Sequence, residues 1–166
     1  MAKKSARGGG GTPATVALEA AGIEFTARPY THDPRATSYG MEAAEALGVD
    51  PARVFKTLMA SLDGELVVGI VPVSGQLDLK ALARALGGSR AAMADVSAAQ
   101  RATGYVAGGI SPVGQKKAHR TVLDASALDH PTVLVSGGRR GFDIELSPVD
   151  LVAVTGALTA QIGRAG

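Results

Sequence analysis

VFKTLMASLDGELVVGIVPV, residues 54–73, carries two apolar runs on either side of Asp63-Gly64. An Asp-Gly pair between such runs is the signature of a β-hairpin with a primed turn, whose two central residues take positive φ. The hairpin is predicted to form the centre of a sheet. One residue inside it breaks the pattern. Alternation places Lys56 with Val54 and Leu58, while Phe55 and Met59 take the opposite face, so neither face of this strand reads as a water face. An ammonium in that position either snorkels past its own methylenes or is kept for a counter-charge or a ligand.

Working outward, Thr12-Pro13 starts a helix that Gly22 stops. In residues 23–30, IEFTARPY, Ile23, Phe25 and Ala27 share one face, as in a half-buried strand. Ser38 is placed to cap a helix carrying Met41, Ala44 and Leu47 and ending at Gly48. Leu79, Leu82, Ala83 and Leu86 form a helical stripe before Gly87-Gly88, and a further helix is expected from about Ser97 to Thr103. Residues 131–148, PTVLVSGGRRGFDIELSP, contain a second hairpin around Gly137 to Gly141, and Ser147-Pro148 opens a last helix. Helices interspersed with tight hairpins predict an α+β domain with a mixed sheet, because strictly parallel βαβ units have no use for two hairpins.

Composition narrows the chemistry. A chain of 166 residues suits one domain with its own core. It has no cysteine, which removes disulfides, thiolate catalysis and cysteine metal sites. His32, His119 and His130 lack the i, i+4 spacing of a helical metal site, so no metal is expected, and no GxxxxGK[ST] or strand-borne GxGxxG predicts a nucleotide cofactor. Seventeen basic against fifteen acidic residues give a formal charge of +2, which permits a phosphate-bearing partner without demanding one. No apolar run approaches the ~20 residues of a membrane span. The opening MAKKSARGGGG, residues 1–11, has no hydrophobic segment and reads as a disordered basic arm before a domain over 12–166, in a cytoplasmic protein.

Residues 104–117, GYVAGGISPVGQKK, place glycines at 104, 108, 109 and 114 beside Lys116-Lys117. Such a stretch is either a tight turn between two strands or a backbone cradle for an anion or a carbonyl. Ser136 and Asp143 bracket the second hairpin, with Arg139-Arg140 at its tip; Asp143 and Glu145 share a face, which is either a solvated sheet face or one from which an acid enters a cleft. No G-x-S-x-G elbow supports a serine triad.

The TPA at Thr12, the HDP of His32 to Pro34, VFKTL at 54–58, GYVAGGISPVGQKK, and SGGRRGFDIELSP at 136–148 together resemble the YbaK/EbsC family of aminoacyl-tRNA deacylases. These are relatives of the editing domain inserted in bacterial prolyl-tRNA synthetases, and the likeness runs from about Thr12 to Thr155. The resemblance implies a compact, partly barrel-like mixed sheet surrounded by helices. It implies hydrolysis of the ester of mischarged Cys-tRNA(Pro), with Cys-tRNA(Cys) as a further substrate, through attack by the substrate's own thiol and with no cofactor. Lys56, Gly108 and Gly109 take the catalytic positions. Tyr30, Tyr39, Thr57, Ser111, Ser136 and Asp143 take the substrate-binding ones, Tyr39 standing where relatives often carry phenylalanine. Lys116, Lys117, Arg120, Arg139 and Arg140 are candidates to meet the phosphates of the tRNA acceptor end, and a prolyl-tRNA synthetase is the implied delivering partner. Two other readings stay open: an Ala-tRNA(Pro) deacylase of the same superfamily, and a non-catalytic tRNA- or synthetase-binding module.

Overall fold

The computed structural model describes residues 11–165. The arm expected over residues 1–11 therefore lies, apart from Gly11, outside the described residues.

Thr12 caps α1 (Pro13–Ala20), its Oγ1 accepting from the Thr15 amide while the Thr15 hydroxyl oxygen accepts the Thr12 amide. Past Gly22 the chain enters β1 (Thr26–Pro29). Ser38 caps α2 (Tyr39–Leu47), and Gly48 ends it in the left-handed conformation at φ 66°. A short 3-10 turn, Pro51–Arg53, leads into β2 (Phe55–Leu62) and β3 (Glu65–Pro72). Between them Asp63 has φ 51° and Gly64 φ 91°, the positive pair that a primed turn needs. The chain continues through β4 (Gly75–Leu77), α3 (Leu79–Ala85), β5 (Ala91–Met93), α4 (Val96–Thr103) and β6 (Thr121–Asp124). It closes with β7 (Val133–Arg139), β8 (Phe142–Leu146), α5 (Pro148–Thr155), β9 (Leu158–Ala160) and β10 (Gly163–Ala165).

The strands form a five-stranded sheet ordered β5-β2-β3-β6-β9, a three-stranded sheet ordered β1-β8-β7, and the pair β10-β4. The large sheet is mixed: β2–β3 and β2–β5 pair antiparallel, whereas β3–β6 and β6–β9 pair parallel. A parallel bridge between Val54 and Leu134 joins the large sheet to the three-stranded one at the start of β2. The expected α+β architecture is present, but among the described residues its sheets do not close into a barrel.

The central hairpin is buried on both faces. Phe55, Met59, Val68 and Ile70 enter one cluster with Leu18 of α1, Phe142 and Ile144 of β8 and Leu151 of α5. Ala60, Leu62, Val67 and Val71 enter a second with Leu82 of α3. The glycine-rich stretch is not a tight turn between two strands; it leaves α4 and runs irregularly to β6. Tyr105 donates its hydroxyl to the Val113 carbonyl at 2.6 Å, and Gly114, at φ 71°, lies so close to α1 that a Cβ there would stand 2.5 Å from the Pro13 oxygen.

Candidate active site

The first half of β2 reaches a cavity of about 350 Å³ whose wall also includes Tyr30, Tyr39, Gly108, Ser136 and Asp143. Each arrives on a separate element. Tyr30 follows β1, its amide donating to the Gly141 carbonyl at 2.9 Å. Tyr39 is the first residue of α2. Ser136 and Asp143 face one another in the β7–β8 register, just before an irregularity that ends at Arg139. That irregularity is held partly by Ser136, whose Oγ accepts the Gly138 amide at 3.1 Å.

Lys56 is the cation of this wall, and partial burial pushes its ammonium pKa below the ordinary lysine value. Asp143 is only 6% exposed, and burial raises its carboxyl to about 7, with Arg28 pulling in the opposite direction. Arg28 is the Asp143 partner in the β1–β8 register, yet its guanidinium pairs with Glu145. Glu145 also accepts Arg53 Nη2 at 2.9 Å and the Thr132 hydroxyl at 2.5 Å. Of the two acids on one face of β8, Asp143 thus enters the cavity and Glu145 is absorbed by an ion-pair cluster. Burial and the Asp143 charge push the Tyr30 phenol up to about 12. Thr57 lines the cavity, and its Oγ1 is buried without a hydrogen-bond partner among the described residues. The lining also has an apolar part, with Phe55, Met59, Met93, Val96, Ala99 and Ile110.

The two loop glycines do different things. Gly108, at φ 85°, lines the cavity, and its amide has no acceptor among the described residues. The Gly109 amide donates to the Val106 carbonyl at 2.9 Å, and a Cβ there would meet the Arg139 Cα at 2.7 Å, so Gly109 seats the loop on the second hairpin. Ser111 is outside the cavity lining and fully buried, its Oγ accepting the Val113 amide at 3.2 Å. Of the basic candidates, Arg120 is engaged by Glu65 and the Leu86 carbonyl. Arg139 lies over the Phe142 ring at 4.5 Å, and Arg140 lies 5.1 Å from the Tyr39 ring centroid while Nε donates to the Ala107 carbonyl at 2.8 Å. Lys116 and Lys117 are exposed.

No group of three or more histidine, cysteine or acidic side chains able to hold a metal occurs among the described residues. None of their helices is long and apolar enough to cross a membrane. Sequence reasoning did not single out the apolar wall or the Arg28–Glu145–Arg53 cluster. The pairing of β1 with β8 was the missing information, although the FDIEL alternation pointed to one side of it.

The family described as the aminoacyl-tRNA editing domain matches residues 32–154, a span that holds Tyr39, Lys56, Gly108, Ser136 and Asp143. This chain belongs to the aminoacyl-tRNA editing domain family. The editing domain is 39% identical over 121 residues to EbsC of Enterococcus faecalis, named as a candidate Cys-tRNA(Pro)/Cys-tRNA(Cys) deacylase; the match covers 72% of this chain and 73% of that protein. Among solved structures, a candidate trans-editing enzyme for prolyl-tRNA synthetase superposes with a TM-score of 0.81 at 27% identity, covering 92% of this chain and 95% of that one. A hypothetical protein, APE2540, superposes at 0.78 and 27% identity over 89% and 96% of the two chains. The resemblance seen in the motifs is borne out, and the editing-domain fold extends over nearly the whole described chain.

Proposed function

We propose that this editing domain removes cysteine from mischarged Cys-tRNA(Pro), and from Cys-tRNA(Cys), by letting the substrate's thiol cleave its own ester. The observation that carries the reading is the makeup of the cavity wall. It offers a cation, a carboxyl and hydroxyls, but none of the three histidines and no cysteine. An enzyme nucleophile activated by an imidazole is therefore missing from the wall, and what remains suits orientation and electrostatics.

In this scheme the substrate's sulfur attacks its carbonyl carbon. A C–S bond forms, the ester C–O bond breaks, and the terminal ribose oxygen leaves with a proton. The product is a four-membered cyclic thioester, which water opens to free cysteine. Lys56 supplies positive charge where the carbonyl oxygen becomes anionic, and the unused Gly108 amide supplies a neutral donor to the same oxygen. Asp143 in its carboxylate form holds the substrate's α-ammonium. A size filter would separate cysteine from serine or alanine poorly, since a methylene is worth only about 1–3 kcal/mol. Dependence on the thiol discriminates by removing the nucleophile itself. A prolyl-tRNA synthetase is the partner that brings such a substrate, because a domain of this size presents few groups with which to identify a whole tRNA.

The test is release of amino acid from Cys-tRNA(Pro), Ala-tRNA(Pro) and Ser-tRNA by the purified protein. Only the cysteinyl ester is expected to be lost, and Lys56→Ala is expected to slow it by about 10²–10³-fold. Hydrolysis of the alanyl ester would instead assign Asp143 to water activation. No hydrolysis of any ester would return the chain to a binding module.

A further inference from the structure

We propose that Tyr39 and Arg140 form a stacking platform for the terminal nucleobase of the acceptor strand. The proposal rests on the deacylase reading above. If the ester is cleaved beside Lys56 inside the cavity, the ribose that carries it stands at the rim, and the base of that nucleoside falls just outside. Tyr39 has both properties required there: it lines the cavity and is 36% exposed.

The platform is built and held by three separate parts of the chain. Tyr39 comes from the start of α2, Arg140 from the tip of the β7–β8 hairpin, and both close on Gly108 of the glycine-rich loop. The Arg140 guanidinium lies 5.1 Å from the Tyr39 ring centroid, and its Nε bond to the Ala107 carbonyl fixes the plane. No carboxylate pairs with Arg140 among the described residues. A Cβ on Gly108 would stand 2.9 Å from both the Tyr39 ring and Arg140 Nε, so a side chain at this position would push the pair apart. His32 flanks the same ring at 5.9 Å, tilted by 40°, and is itself held by Glu42 at 2.9 Å. An aromatic ring and a planar cation fixed at the mouth are the surfaces on which bases stack, whatever their hydrogen-bonding edges. Arg140 thereby acts through its flat face rather than as a point charge on phosphate.

The experiment uses an uncharged RNA minihelix of the acceptor stem whose 3′-terminal adenine is replaced by 2-aminopurine, a base that loses fluorescence on stacking. Full-length protein is expected to quench it. Tyr39→Leu and Arg140→Leu are each expected to weaken the binding read by quenching roughly 5- to 100-fold. Tyr39→Phe should retain it, and Arg140→Lys should not. With Cys-tRNA(Pro), Tyr39→Leu should raise KM by a similar factor while kcat changes little. Quenching that is absent with the native protein, or equal in the Tyr39→Leu variant, overturns the platform even where ester hydrolysis is intact. Quenching lost with Tyr39, in a protein that hydrolyses no ester, supports the platform and removes the deacylase reading instead.

Discussion

At Asp143, burial disfavours the carboxylate strongly enough to carry its pKa to about 7. The opposing charge, Arg28, is held by Glu145, so the relief is partial. A carboxyl raised above its unfolded value favours the fold in its protonated form. Its contribution is full below the unfolded pKa near 4 and is lost as pH climbs to about 7. Asp143→Asn removes that loss. Thermal unfolding of the two proteins at pH 4.5 and pH 8 should show the variant gaining relative to the native chain at the higher pH, by about 3 kcal/mol. Parallel curves at both pH values would show an ordinary carboxyl. Lys56 was legible in the sequence for the converse reason, since a charged residue in a strand with two apolar faces contradicts its surroundings. By its alternation Asp143 was legible only as one of two acids, and it took the family resemblance to single it out, because the arginines that claim Glu145 come from β1 and the Pro51–Arg53 turn.

At the scale of elements, every predicted helix and both hairpins appear, because each carries local chemistry at its ends. Thr12, Ser38 and Ser147 cap helices, Gly48 ends one, and Asp63-Gly64 supplies its own turn. The glycine-rich loop was not legible in this way. Its glycines answer to neighbours distant in sequence: Gly108 to Tyr39 and Arg140, Gly109 to Arg139, and Gly114 to Pro13. The apolar cavity wall was hidden too, since Phe55 and Met59 share the alternation of core residues in β2, and periodicity does not separate a packed face from one that borders a cavity. The loop's contact with α1 has a direct test. Gly114→Ala must strain a left-handed φ and drive a methyl into backbone, so a loss of about 1–3 kcal/mol in chemical denaturation is expected. Gly22→Ala has the same backbone strain with open space around it and should cost less.

For the whole molecule, a formal charge of +2 limits what electrostatics contributes to holding a polyanion. Deacylation should therefore show a shallow dependence of KM on salt. Each phosphate contact adds roughly 0.7–0.9 to the log–log slope, so replacing Lys116 and Lys117 together by alanine should lower it by about 1.5. An unchanged slope would mark both as solvated surface charges. The architecture also treats its two ends unequally. α1 is wedged between the loop, through Gly114 against Pro13, and the second hairpin, through the 2.6 Å bond from the Thr12 hydroxyl to the Gly137 carbonyl. β10 is pinned elsewhere, by its pairing with β4 and by Asp124, which accepts the Ile162 and Gly163 amides at 2.9 and 2.7 Å, and none of these residues borders the cavity. For anyone fixing this catalyst to a bead or joining it to a reporter, the end at β10 is the one to tether; a load applied at Thr12 would be transmitted straight to the loop that carries Gly108.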